Sequence, residues 1–121
     1  MFKVLARDKP SLTPGEQCWD YLYVEDAAEA LYQLALNPGA EGLFILGSGE
    51  APSVRTIAEC IRDMINPKSP LGFGEVPYRS DQVMRLQADI SRLRREIDWQ
   101  PRTSLETGLR QTVEWYRATS S

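Results

Sequence analysis

The sequence predicts an α/β chain of about four helices with a few short strands, and three features carry that expectation. Trp19 to Asp26 sets aromatic and β-branched residues at strand spacing and runs straight into Ala27-Ala28-Glu29-Ala30-Leu31, where the period becomes helical. Gly42-Leu43-Phe44-Ile45-Leu46-Gly47 is a short continuous apolar run between glycines, the pattern of a strand buried on both faces of a parallel sheet. Three later stretches, beginning near Ser53, Asp89 and Thr103, repeat apolar residues at helical spacing behind capping residues.

Taken in order, residues 1 to 8 read as the end of a helix with Phe2, Leu5 and Ala6 on one face, broken at Lys9-Pro10. Ser11-Leu12-Thr13 reads as a short strand, and Pro14-Gly15 as a turn that folds it onto Cys18 to Val24 as a hairpin. A helix from Ala27 to about Leu36 puts Ala27, Leu31, Leu34 and Ala35 on its buried stripe. Asp26 and Glu29 have capping-box spacing, each able to satisfy a backbone N–H left unpaired by the first turn, and Asn37-Pro38-Gly39 ends the helix. Ser53 caps a helix from Val54 to about Ile65, with Val54, Ile57, Ala58, Ile61, Met64 and Ile65 inward and a stop at Pro67. Ser69 to Gly74 reads as a loop and Glu75 to Tyr78 as a short extended segment. Asp89 caps a helix carrying Ile90, Leu93 and Ile97 inward and Arg92, Arg94, Arg95 and Glu96 mainly outward. In the last helix Thr103 and Glu106 form a second capping box, while Leu105, Leu109, Thr112, Val113 and Tyr116 share a stripe with Trp115 beside it. No repeat, low-complexity tract or linker divides residues 1–121, which read as a single unit.

At 121 residues the chain can build a modest core, and its net charge of -3 argues against a general nucleic-acid binder. Cys18 and Cys60 are far apart, form no CxxC pair and have no histidine to complete a common zinc set; they read as reduced thiols of a cytoplasmic protein without a metal site. No apolar run approaches a membrane span, and the N-terminus lacks the apolar core of a signal peptide, so no membrane partner is expected. Arg92, Arg94 and Arg95 lie among Asp89, Glu96 and Asp98, a solvated helix face rather than a nucleic-acid patch.

Gly47-Ser48-Gly49-Glu50-Ala51-Pro52 follows a predicted strand in the manner of a dinucleotide loop. Position 52 is proline where G-x-G-x-x-G requires glycine, so a sharp turn is the preferred reading. Without histidine there is no Ser-His-Asp or Cys-His set, and the carboxylates are scattered along helix faces and caps. Local physics alone makes residues 19–31 a strand-to-helix junction and Arg79 an exposed loop charge.

Trp19-Asp20-Tyr21-Leu22-Tyr23-Val24-Glu25-Asp26-Ala27-Ala28-Glu29-Ala30-Leu31 resembles the (R/W)-D-(Y/F)-x-Y-V-x-D-x-A-x-A signature of extended short-chain dehydrogenases/reductases, the NAD(P)-dependent epimerases and dehydratases of nucleotide sugars. Gly42 to Ile61 is similar to the late (V/L)-(F/Y)-N-(V/I)-G-S-G strand of that family and the helix after it. Pro77 to Pro101 resembles its R-x-x-D-(V/I) … A-D-x-S-(K/R)-A … L-G-W-x-P ending, and Thr103 to Leu109 its (T/S)-x-L-E-x-G-(L/I) helix. The pieces follow family order from about Ser11 to Arg117.

The resemblance implies the C-terminal, substrate-side portion of a Rossmann-type enzyme, including one late strand-helix unit of the nucleotide-binding sheet. Met1 would then be a start inside a longer chain whose N-terminal NAD-binding region lies outside these residues. The parent would use NAD or NADP to epimerise, dehydrate or reduce a nucleotide sugar. Its proton transfer would depend on a Tyr-x-x-x-Lys pair in which lysine lowers the tyrosine pKa. Tyr21, Tyr23, Tyr32, Tyr78 and Tyr116 all lack a lysine four residues on, so this chain is expected to hold no catalytic or cofactor-binding residue, to bind no cofactor and to be inactive alone.

Its implied task is recognition of a nucleoside-diphosphate sugar. The arginine matching Arg79 binds the diphosphate in many members, a role that suits a planar guanidinium with paired donors; Asp81 shares its stretch. The position often filled by a second phosphate-binding arginine is Trp19 here, so the clamp is halved or rebuilt around stacking. Arg79, Trp19 and Asp81 are therefore the candidate substrate-binding residues, while Asp20 and Asp26 order the junction and Asp98 replaces a glycine before Trp99. Expected partners are the sugar nucleotide, the N-terminal Rossmann domain and further copies of the chain, because a lone strand at Leu43 to Leu46 needs cover. A non-catalytic binding or assembly module of the same descent is the alternative.

Overall fold

The computed structural model describes Val4, Ala6 and residues 8–120. Its elements are β1 (Ser11–Leu12), β2 (Cys18–Trp19), α1 (Val24–Leu36), α2 (Val54–Ile65), β3 (Gly72–Phe73), β4 (Arg85–Leu86), α3 (Ser91–Ile97) and α4 (Leu105–Ser120). Of the helix expected over residues 1 to 8, Phe2 and Leu5 lie outside the described residues; Ala6 is exposed and Val4 is buried.

The strands do not form the expected hairpin. β1 pairs in parallel with β3, Ser11 opposite Gly72, and β2 pairs in parallel with β4, Cys18 opposite Arg85. The intervening turn is held elsewhere: the Val54 and Arg55 N–H groups, which the first turn of α2 leaves unpaired, donate to the carbonyls of Gln17 and Gly15 at 2.8 and 2.9 Å. Gly15 has φ +77°, and a Cβ there would stand 3.0 Å from Arg55 Cβ, so the turn lies on the helix end. Gly72 and Phe73, expected in a loop, are β3; Glu75 to Tyr78 forms no strand, although Val76 N–H donates to Leu12 O at 3.0 Å.

α1 starts before the expected Ala27, which moves Asp26 from the cap into the first turn. Tyr23 stands at the N-cap without a side-chain bond, and Glu29 pairs with Arg102 rather than reaching back. The buried face is also different, since Asp26 and Ala30 are buried with Leu34 against the core, whereas Leu31 is 60% exposed. Relative to the expected stripe the helix is turned by roughly one residue, about 100°. It packs on α3, and Ala30, Ile90, Leu93 and Trp99 form the buried cluster with Leu22, Phe44, Ala88 and Ile97 at its margin.

α2 keeps its expected bounds and cap, Ser53 Oγ accepting from Thr56 N, and packs along α4. Ser91 N donates to Asp89 Oδ1, so Asp89 orders the entry to α3 from one residue before its N-cap. Asp98 ends α3 in the left-handed region at φ 52°, where the related motif has glycine. α4 is capped by Ser104, whose Oγ accepts from Thr107 N; Thr103 N–H is taken by Asp26, and Glu106 pairs with Arg110.

Residues 42–47 are not a strand. A ladder needs a neighbour, none of the described strands lies beside this run, and Leu43, Ile45 and Leu46 are 82%, 52% and 40% exposed. Arg92 holds it from one side, donating to the carbonyls of Leu43 and Glu41 and lying 4.0 Å over the Phe44 ring. Arg92 is thus a structural clamp and not part of a solvated face.

Candidate functional site

Two stretches far apart in sequence, 16–20 and 78–88, are fastened along their length. Glu16 N–H donates to the Tyr78 hydroxyl at 2.8 Å, Cys18 N–H to Met84 O at 2.8 Å, and Asp20 N–H to Leu86 O at 2.7 Å. Between them the Trp19 indole Nε1–H donates to Val83 O at 2.8 Å. Trp19 and the loop bearing Arg79 and Asp81 therefore stand on one side of the fold. The indole donor is committed to the backbone, so what Trp19 can offer a ligand is its ring face.

Arg79 and Asp81 are both exposed and face each other, Nη2 to Oδ2 at 3.2 Å. An exposed pair of this kind contributes little to stability and leaves the guanidinium open to exchange its carboxylate partner for an anionic ligand. Neither residue lines the cavities described next.

The Asp20 carboxylate is the most heavily bonded group of the region. Its Oδ1 accepts from Ser48 N at 2.7 Å and Ser48 Oγ at 2.8 Å; its Oδ2 accepts from Gly49 N at 2.9 Å and Ala88 N at 3.1 Å. The reading of Asp20 as a residue that orders its surroundings agrees with this geometry. The same bonds bear on the Gly47-Ser48-Gly49 turn, because the amides a pyrophosphate would need at a dinucleotide loop already point at Asp20. With Pro52 at the third position as well, this turn does not fit a nicotinamide dinucleotide.

Two cavities flank the turn. The larger, about 940 Å³, lies between Tyr21, Tyr23, Pro52, Arg102, Leu105 and Leu109; the smaller, about 720 Å³, between Gly49, Gln87, Ala88, Ser91 and Arg95. Ser48, Glu50 and the exposed Arg94 border both. Burial raises the Tyr21 phenol above its ordinary pKa, and desolvation with the charges of Glu25 and Asp26 raises Tyr23.

Among the described residues no cluster of histidine, cysteine, aspartate or glutamate could hold a metal, Cys18 and Cys60 are free thiols, and no helix is long and apolar enough to cross a membrane. Sequence reasoning missed the Arg92 clamp and the Gln87 side chain, which donates to Gly49 O at 2.6 Å. An exposed arginine or glutamine carries no local signal of a backbone partner some forty or fifty residues away.

Comparison with known proteins agrees with this architecture. The family model described as GDP-mannose 4,6 dehydratase matches residues 2–112. The dTDP-glucose 4,6-dehydratase of Shigella flexneri is 33% identical over 119 residues, covering 93% of this chain and 33% of its own length. That of Haemophilus influenzae is 31% identical over 130 residues, covering 98% of this chain and 38% of its own. An epimerase from Methanothermobacter thermautotrophicus superposes with a TM-score of 0.90 at 25% identity, over 98% of this chain and 36% of that one. A UDP-glucose 4-epimerase from Thermotoga maritima, solved with UDP-glucose, superposes with a TM-score of 0.86 at 25% identity, over 98% and 38%. The chain spans about a third of the length of the curated relatives it matches. With its fold, motif order and relatives in agreement, the chain belongs to the GDP-mannose 4,6 dehydratase family of nucleotide-sugar epimerases and dehydratases.

Proposed function

We propose that this chain is the C-terminal, substrate-side portion of a cytoplasmic NAD- or NADP-dependent nucleotide-sugar epimerase or dehydratase, and that it recognises the nucleoside-diphosphate sugar. The observation that carries the reading is the fastening of residues 16–20 to 78–88, which brings Trp19 to the base of the loop that holds an exposed Arg79. The guanidinium of Arg79 takes the diphosphate, Asp81 holds that guanidinium until the ligand arrives, and the Trp19 ring supplies a flat apolar face in place of a second cation. Catalysis and cofactor binding belong to the remaining, N-terminal part of the protein. The exposed apolar residues Val24, Leu31, Tyr32 and Leu36 on α1, with Leu43, Ile45 and Leu46, support a docking surface for that part or for a second copy.

Arg79 meets a part of the substrate remote from the reacting carbon, so its contact is equal in ground and transition states. In the full-length enzyme Arg79→Ala raises KM for the nucleotide sugar by the equivalent of about 1.5 to 3 kcal/mol, the range for a charge-assisted hydrogen bond, with kcat and NAD affinity nearly unchanged. Arg110, paired with Glu106 on an exposed helix face, is the control. Equal small effects of Arg79→Ala and Arg110→Ala on KM would return Arg79 to an ordinary surface charge. A full-length protein that binds no nucleoside-diphosphate sugar would favour an assembly module.

A further inference from the structure

We infer that Asp20 is a positioning residue, which sets Trp19 and the β4 exit for ligand binding by fastening both to the Gly47–Gly49 turn. This inference rests on the substrate-recognition reading above. β2 is only two residues long; the Trp19 backbone is paired with β4 and donates its N–H to Pro52 O at 3.2 Å. Its place is secured on the C-terminal side by Asp20, whose N–H bonds Leu86 O and whose carboxylate takes four donors from residues 48, 49 and 88. The packing around that carboxylate is tight: a Cβ at Gly47 would stand 2.4 Å from Ala88 Cβ and 2.9 Å from Asp20 Oδ2. Gln87 fastens the same turn from the other side through Gly49 O. Turn, β2 and β4 exit therefore move as one body, and the single group common to all three is the Asp20 carboxylate.

The chemistry of the pocket makes this carboxylate hard to replace. Three of its four partners are backbone N–H groups with no freedom to turn into acceptors. The amide of Asn must direct its NH2 at one of the two pairs, leaving at least one backbone donor facing a donor. Glu is one methylene too long for the space beside Gly47. Asp20 touches no ligand in this scheme; it acts through Trp19 and the chain leading back to Arg79.

The test is Asp20→Asn in the full-length enzyme, measured by steady-state kinetics, NAD titration and thermal unfolding. The expected result is a rise of about ten-fold in KM for the nucleotide sugar, with kcat within about two-fold and NAD affinity unchanged. Asp20→Glu does not restore KM. A lowered unfolding temperature with wild-type KM makes Asp20 merely structural and overturns the inference, as does an equal loss of sugar and NAD binding. If Asp20→Asn does not fold, Ser48→Ala removes only the hydroxyl donor: a rise of about two- to three-fold in KM supports the inference, and wild-type KM overturns it. Wild-type protein that binds no nucleoside-diphosphate sugar refutes the functional reading itself and takes this inference with it, an outcome visible before any variant is made.

Discussion

Removing the Asp26 carboxylate is the sharpest test of how the chain is held together. Asp26 is 4% exposed, and its Oδ2 accepts from Thr103 N–H at 3.0 Å, tying the first turn of α1 to the lead-in of α4. Its backbone carbonyl accepts from the Trp99 indole at 3.2 Å, a bond that survives any side-chain change. Asp26→Ala leaves the Thr103 donor unpaired, at a cost of about 1.5 to 3 kcal/mol for a bond to a charged group. It also removes a negative charge from a helix N-terminus, worth about 0.3 to 1 kcal/mol. Together these give about 2 to 4 kcal/mol, or roughly 6 to 16 °C in Tm for a domain of this size. Asp26→Asn keeps an acceptor for Thr103 and costs less than about half as much. Glu25→Ala, exposed in the same turn, is the reference and changes stability by no more than about 0.5 kcal/mol. Urea and thermal unfolding of the three variants decide the matter. If Asp26→Ala and Glu25→Ala were equally mild, the link between α1 and α4 would carry no weight.

Two further outcomes follow from close packing and from charge. Gly47→Ala forces its new Cβ to within 2.4 Å of Ala88 Cβ, and lowers stability by about 1 to 3 kcal/mol in urea unfolding; wild-type stability would mean the turn yields freely. Hydrogen bonds from Lys9 and Ser11 hold Glu75 below its ordinary pKa, and bonds from Ser91 do the same for Asp89. A depressed carboxylate contributes stability above its unfolded pKa and loses it as pH falls through the folded one, so Glu75→Gln with Asp89→Asn flattens the stability curve below about pH 4.5 and not above about pH 6. An unchanged acid limb in that double variant would refute the assignment.

Where local physics decides, the sequence was legible. Ser53 caps α2 at the expected residue because a serine before an apolar stripe needs no tertiary help, and Leu93 and Ile90 are buried as their spacing predicts. The hairpin failed because the turn after β1 is captured by the N–H groups of α2, a competitor some forty residues away. Both capping boxes failed for one shared reason: Asp26 is drawn inward by Thr103, which leaves Tyr23 and Ser104 at the helix starts. The stripe on α1 was misjudged because Val24, Leu31, Tyr32 and Leu36 are apolar yet exposed, so hydrophobicity did not mark the face that meets the rest of this chain. At the candidate site, the family resemblance named Arg79 and Trp19, where local physics gave only an exposed loop charge and a strand residue, and only the fold disclosed that the Trp19 indole N–H is already engaged.

The two parallel ladders impose an order in time. Each joins residues roughly 60 or more positions apart, so neither can close until most of the chain between them has been synthesised and compacted. Nothing local nucleates them, since each strand is two residues long. The helices α1 and α2 can take shape from their own sequence, while the junction of residues 16–20 with 78–88 waits for long-range closure. The junction is then the last piece to lock during folding. Binding across it would raise its protection from amide exchange more than anywhere else in the molecule.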